Sequence, residues 1–200
     1  MEKQNKIKEL PLTSMILAAL FTALMIVGAY ISIPFVNNVP FVLANFFVWL
    51  SGLILGPIWG GISVLLYLIL GALGLPVFAG ARGGLAVFIG PEGPGPTSGF
   101  LLGYLLSAII IGLLADRQGK SIIRNFLAML AGFIVTYAVG IPIYSIASGN
   151  HDYLAIVVSF TWILVGDGIK IVAAVAITKA LSKFTKMHWG VISTPEGKKR

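Results

Sequence analysis

The chain has 200 residues, of which 58% are hydrophobic and only 10% charged, with a mean hydropathy of +0.97 and a formal charge of +7. A soluble domain carries about 25% charged residues, so this composition excludes an ordinary water-soluble fold and describes an integral membrane protein. Cysteine is absent, which removes disulfides and thiolate metal sites.

The chain opens on MEKQNKIKEL, mixed in charge, and passes into an apolar run from Leu12 to about Pro34. That run exceeds the roughly 7–15 residues of a signal-peptide core and has no clear cleavage site, so it reads as a membrane helix. A second apolar segment covers about Phe41 to Leu55. After the tight turn Gly56-Pro57-Ile58-Trp59-Gly60, a third runs from Ile62 to about Phe78. The fourth, fifth and sixth cover about Gly99 to Ala115, Ile122 to Ala147 and Tyr153 to Leu181. Several reach the roughly 20 residues that span a hydrocarbon core as a helix, and strand-like alternation is not visible. The expectation is an all-α membrane protein with six transmembrane helices.

The basic residues agree with six crossings. An inside N-terminus puts Lys3, Lys6, Lys8, Arg117, Lys120, Arg124, Lys179, Lys183, Lys186, Lys198, Lys199 and Arg200 on one side, and Arg82 alone on the other. Such asymmetry marks the cytoplasmic side, so both termini are expected there. This divides the chain into a cytoplasmic N-terminal segment 1–11, a membrane domain 12–182 with an outer Gly/Pro-rich loop 80–98, and a basic cytoplasmic tail 183–200. The positive charge lacks the basic face with interleaved aromatics that nucleic-acid binding requires, so the expected environment is the lipid bilayer and no nucleic acid.

The outer loop, GARGGLAVFIGPEGPGPTSG, has an apolar part too short to cross. Its prolines and glycines make it non-helical over much of its length. It is either a mobile connection or a segment whose free amides and carbonyls meet a ligand or seal a cavity.

Asp167 and Lys170 form the one ionisable pair inside an apolar span, on one helical face. A lone charge at membrane depth costs at least about 2.5–3.5 kcal/mol, so both should face the bundle interior. They are either an ion pair that orients the helix or part of a polar site. Gly166 and Gly168 remove side chains beside the acid and let a ligand or another helix approach. In the first span, Ala19 and Ala23, with Ala18 and Thr22 beside them, make a small-residue ridge that suits either internal packing or a partner helix. Other small-xxx-small pairs, such as Gly99 and Gly103, say little in a chain with 24 glycines.

Enzyme signatures fail. Gly119-Lys120-Ser121 lacks the glycine and the strand that a phosphate-binding loop requires, so any ATPase must be another polypeptide. His151 and His188 lie near segment ends rather than in a shared core, which argues against a metal centre. A membrane enzyme using Asp167 as an acid or base is the least favoured reading, since a hydrolase needs a nucleophile with a base or paired catalytic acids and only one acid lies inside a span. No cofactor is implied. Trp49, Trp59, Trp162 and Trp189 serve either as interfacial anchors or as core.

VGDGIKIVAA in the last span, GLPVFAGARGG after the third, GPTSGFLLGY opening the fourth, VPFVLANFFVWLSGLILGP across the second and Ala19-xxx-Ala23 in the first together resemble the BioY family. BioY proteins are biotin-binding S components of energy-coupling factor (ECF) transporters. The resemblance implies a six-helix S component that captures biotin and works with a transmembrane coupling protein and two cytoplasmic ATPase subunits in a prokaryotic cell membrane. Carried over residue by residue, it places Gly166, Asp167 and Lys170 in the ligand site and Ala19 and Ala23 at the coupling protein. The loop glycines Gly80, Gly83 and Gly84 and the Gly95-Pro96-Thr97 turn match ligand-covering segments.

The expected substrate-binding set is Asp167, Lys170, Arg82, Gly83, Gly84, Trp162, Tyr104 and Phe88. In this reading the acid accepts from the ureido N–H groups of biotin, the lysine donates to its ureido carbonyl or carboxylate, and Trp162, Tyr104 and Phe88 cover the apolar body. Three departures from the family stand out: Ala44 where glutamine is common, Arg82 where a small or amide residue is frequent, and a longer GPEGPGPTSG loop. Arg82 and Ala44 leave room for a second reading, in which the cargo is another small carboxylated or biotin-like compound.

Overall fold

A computed structural model describes residues 2–33, 39–90, 93–116 and 121–185, with side chains described from residue 12 to residue 181. The described residues form six α-helices: α1 (Glu2–Tyr30), α2 (Ala44–Ala72), α3 (Ser98–Leu114), α4 (Ile122–Ser148), the short α5 (Tyr153–Ser159) and α6 (Thr161–Thr185). Between α1 and α2 lies a small antiparallel hairpin, β1 (Ser32–Ile33) and β2 (Phe41–Val42), with Ser32 opposite Val42. Among the described residues four helical stretches are long and apolar enough to cross a membrane, namely Leu12–Tyr30, Ala44–Ala72, Ile122–Ser148 and Thr161–Leu181, and α3 is a shorter apolar helix of 17 residues.

The second and third expected segments appear as one helix, α2, but it is not straight. Gly56 has φ 80° and ψ −175°, a conformation open to glycine, and Pro57 follows it. A Cβ built on Gly60 would lie 2.9 Å from the α-carbon of Gly52. Eight residues along an unbroken helix would be about 12 Å apart, so the chain folds back on itself at Gly56. The Gly56 to Gly60 turn read from the sequence is therefore the hinge between two arms of α2.

The last expected segment, by contrast, is two helices. Asp152 caps α5 by accepting from the backbone N–H groups of Leu154 and Ala155 at 3.1 and 3.0 Å. The chain then bends at Phe160 before α6 begins. No proline or glycine marks this bend in the sequence. The buried Phe160 ring holds it, packing edge-on against Phe100 at 6.0 Å and Tyr144 at 5.2 Å.

α3 is the centre of the packing, held against α2 on one side and α4 on the other. Backbones approach closely there because glycines leave room. Gly52 lies against the backbone of Ala108, Gly112 against Gly56 and Pro57, Gly99 against Val139 and Gly140, and Gly103 against Thr136. The Gly99 and Gly103 pair, uninformative in the sequence, is thus a helix-packing surface. α1 joins α2 through Thr22, whose hydroxyl donates to the carbonyl oxygens of Ala18 at 3.0 Å and Ser63 at 2.8 Å.

Candidate functional site

The hairpin and the connection after α2 meet at one end of the bundle. Tyr30 at the end of α1 donates its hydroxyl to the carbonyl of Pro76 at 2.6 Å, and Ala29, Val42 and Ala44 form a small buried cluster with Ala79 packed against it. Gly80 and Ala81 both adopt positive φ, 71° and 55°, making a tight turn that returns Arg82 to pair with Phe78 through two backbone hydrogen bonds. The Arg82 Nε donates to the carbonyl of Ala79 at 3.0 Å, which fixes the stem of the side chain.

Beneath this end lies a cavity enclosing about 670 Å³ between atoms, its mouth included. The hairpin contributes Val39, Pro40 and Val42 to its wall, and the two arms of α2 contribute Ala44, Asn45 and Tyr67. Phe78, Ala79 and Arg82 enter from the connection, Thr97, Phe100 and Tyr104 from the start of α3. Thr136 and Tyr137 of α4 and Phe160 and Ile163 from the bend before α6 complete it. The wall is aromatic and aliphatic with a few hydroxyl, amide and guanidinium groups.

Asp167 and Lys170 do face the bundle interior. Asp167 is 0% exposed, and its Oδ1 lies 2.8 Å from Lys170 Nζ. Asn45 Nδ2 donates to both carboxylate oxygens at 2.9 Å, and Tyr137 donates its hydroxyl to Oδ2 at 2.8 Å. Lys170 Nζ also donates to Asn45 Oδ1 at 2.8 Å and to the backbone carbonyl of Val42, and it sits 3.7 Å from the centre of the Phe41 ring. An ammonium has three donors and a carboxylate about four acceptor positions, so both groups are saturated by protein partners. Neither lines the cavity. The residues they hold, Asn45, Tyr137 and Val42, do. The ion pair therefore stands one layer behind the wall and fixes it, tying the hairpin, α2 and α4 to α6.

The flanking glycines divide. A side chain on Gly166 would run into the Phe41 ring, whereas Gly168 faces open space. Gly166→Ala is expected to push Phe41 off Lys170 and destabilise the protein by about 1–3 kcal/mol, as overpacking does. Gly168→Ala should be neutral or stabilising by up to about 1 kcal/mol, since alanine favours the helix. Thermal unfolding of both variants in detergent checks the contrast.

The remaining expected residues are scattered more widely. Arg82 and Tyr104 line the cavity. Trp162 does not: it is 73% exposed. The reason is helical geometry, because five residues at about 100° each place it roughly 140° around α6 from Asp167. Phe88 stands behind the wall, edge-on to the cavity residue Phe78 at 5.7 Å. Gly83 packs its α-carbon on the carbonyl of Leu75, and Gly84, with φ 93°, donates its N–H to the carbonyl of Gly71 at 2.7 Å. These two shape the connection. Gly83 also lines a separate open hollow that shares Arg82 and Thr97 with the cavity.

On α1, Ala18 and Thr22 face inward, while Ala19 and Ala23 lie on the exposed side with Met15, Ile16, Leu20 and Val27. Internal packing is thus the work of Ala18 and Thr22. Trp49 is core, donating its indole N–H to Thr136 at 3.3 Å. His188, Trp189 and Glu92 lie outside the described residues, and among the described residues no group of three His, Asp or Glu is placed to hold a metal.

Sequence reasoning missed Asn45, Tyr67 and Tyr137. Asn45 was open to detection, as an amide inside the apolar stretch VLANFFVWL. The tyrosines gave no such signal, because a tyrosine in an apolar span is unexceptional.

Comparison with known proteins agrees with this architecture. The BioY family profile matches residues 1–187. A protein of Thermotoga maritima named biotin transporter BioY is 42% identical over 170 residues, covering 84% of this chain and 95% of its own. A probable biotin transporter BioY of Pyrococcus horikoshii is 40% identical over 166 residues, with 82% and 93% covered. A crystal structure of the S-component for biotin from an ECF-type ABC transporter superposes with a TM-score of 0.77 at 28% identity, covering 86% of this chain and 92% of that one. These relatives are named as transport proteins, not enzymes. With the family profile spanning nearly the whole chain and the fold shared with a solved S-component, the chain belongs to the BioY family.

Proposed function

We propose that this chain is the biotin-binding S component of an ECF-type transporter, capturing the vitamin for uptake across a prokaryotic cell membrane. The observation that carries this reading is the cavity at the hairpin end of the bundle, walled by aromatic rings and backed by a buried, fully bonded Asp167–Lys170–Asn45–Tyr137 cluster. Biotin has the matching parts: a planar ureido ring, an apolar thiophane body and a tail ending in a carboxylate. Asp167 and Lys170 serve the ligand through Asn45, Tyr137 and Val42, whose positions they fix. Tyr104 and Phe100 cover the apolar body, with Phe88 supporting Phe78, and Arg82 meets the carboxylate. Gly83 and Gly84 shape the connection that closes the mouth.

In the bilayer, α1, the two arms of α2, α3, α4 and α6 make six crossings, with both termini and the basic connection around residues 116–124 on the cytoplasmic side. Residues 1–11 and 183–200 flank the membrane domain there, and the loop 80–98 faces outward. Energy comes from two separate ATPase subunits through a transmembrane coupling protein, which docks on the exposed Ala19 and Ala23 ridge.

Arg82 favours a second reading at the same site, since its guanidinium on the cavity wall suits any small carboxylated compound, and Ala44 leaves space beside Asn45. Calorimetric titration of the purified chain with biotin tests the first reading, and identification of a co-purified ligand by mass spectrometry tests the second. In the same experiment, an Ala19→Trp, Ala23→Trp double variant is expected to bind biotin within about twofold of wild type. It should lose at least about tenfold in recovery with the coupling protein and ATPases, as bulky side chains hold helices apart. Undiminished recovery would leave the ridge as lipid-facing surface.

A further inference from the structure

We infer that the open hollow in the loop 80–98 is a second binding subsite, which takes an alkyl chain joined through an amide to the carboxyl end of the ligand. The chemical class it adds is an N-alkyl amide of the carboxylated cargo, such as biotin joined to the side-chain amine of lysine. The assignment rests on the cavity being the ligand site proposed above. The hollow itself lies outside that cavity and shares with it two wall residues, Arg82 and Thr97.

Apart from those two, the hollow is lined by Ala81, Gly83, Ala86, Val87, Gly95 and Pro96. None of these side chains is polar or longer than valine, so the surface is backbone and short apolar groups. A trough of this kind gains by covering methylene groups and has no side chain to recognise a second charge. Backbone contacts keep it open. Gly95 lies against the carbonyl of Val87, where a Cβ would come within 2.5 Å, and Gly90 and Gly93 exchange two backbone hydrogen bonds that close the next turn. The loop thus holds its shape without filling the hollow.

The wall between cavity and hollow carries unspent donors. Arg82 commits its Nε to the carbonyl of Ala79, but its terminal nitrogens make no hydrogen bond among the described residues. The Thr97 hydroxyl makes none either and does not cap α3. Both residues are half-buried, and neither side chain is tied at its tip to another protein group. A ligand that crosses between them needs an acceptor for both, and the two lone pairs of an amide carbonyl supply it. A free carboxylate uses the same donors and ends there, leaving the trough empty.

Titration of the full chain in detergent with biotin and with biocytin, the amide of biotin with the lysine ε-amine, tests the subsite. Wild type is expected to bind biocytin within about tenfold of biotin, because the covered chain offsets the lost carboxylate charge at Arg82. Ala86 is exposed on the turn Leu85–Val87 and lines the hollow but not the cavity. Ala86→Trp should therefore leave biotin affinity within about twofold and weaken biocytin at least about tenfold, since it blocks the extension alone. Ala86→Leu, a smaller obstruction, should give an intermediate loss for biocytin and none for biotin. Equal effects on the two ligands in both variants overturn the assignment, and so does wild-type biocytin binding more than about tenfold below that of biotin. A wild-type chain that binds neither compound defeats the proposed function and this subsite together; one that binds biotin alone defeats only the subsite.

Discussion

Asp167→Ala is expected to destabilise the protein by about 3–5 kcal/mol and to abolish measurable ligand binding. The change removes the acceptor for Asn45, Tyr137 and Lys170 at once and leaves the ammonium in an apolar interior with only Val42 and Asn45 as hydrogen-bond acceptors. Lys170→Met is expected to cost a similar amount through the stranded carboxylate. Removing both charges in an Asp167→Asn, Lys170→Met double variant should recover much of the stability, because replacing both members of a buried pair avoids the desolvated charge that either single change creates. Binding should not recover, since the hairpin is no longer tied to α6 through Val42. Thermal unfolding in detergent would register each single change as a fall on the order of 10 °C. Singles as stable as the wild type would mean that these charges are hydrated in the membrane-embedded protein rather than enclosed.

Gly52→Val should be as damaging without touching the site. Its Cβ would fall on the backbone carbonyl of Ala108, and backbone cannot rotate aside. The arm of α2 and α3 would have to separate, at a cost above the about 1–3 kcal/mol typical of overpacking. Gly112→Val meets the same obstacle at the Gly56 and Pro57 backbone. Gly61→Ala is the control: its nearest neighbour is the Ile109 side chain at 3.1 Å, which can change rotamer, so a loss below about 1 kcal/mol is expected. Yield of monodisperse protein in detergent and the unfolding midpoint report the difference. A Gly52→Val protein that purifies and melts like the wild type would show that α2 and α3 are more loosely packed than their backbone separation implies.

The parts of the site that were legible in the sequence are those that break a local rule. Asp167 and Lys170 stood out because charges are costly in an apolar run, and the Gly56-Pro57 turn because glycine followed by proline interrupts a helix. The partners of the pair were hidden by distance along the chain. Asn45 reaches Asp167 across 122 positions and Tyr137 across 30, and nothing local to either residue marks it as a partner. The bend at Phe160 was hidden for the opposite reason, since its cause is the packing of one ring between Phe100 and Tyr144 rather than a helix-breaking residue.

Sequence by itself determined that this is a helical membrane protein, which motifs it shares with the BioY family, and that one helix carries an acid and a base on one face. These follow from composition and from the period of the helix, which are properties of neighbouring residues. Tertiary structure alone decided that the ion pair lies behind the cavity wall, that Trp162 points away from it, and that Ala18 faces inward and Ala19 outward. A rotation of about 100° per residue assigns each side chain its direction, but only the neighbouring helices give that direction a meaning.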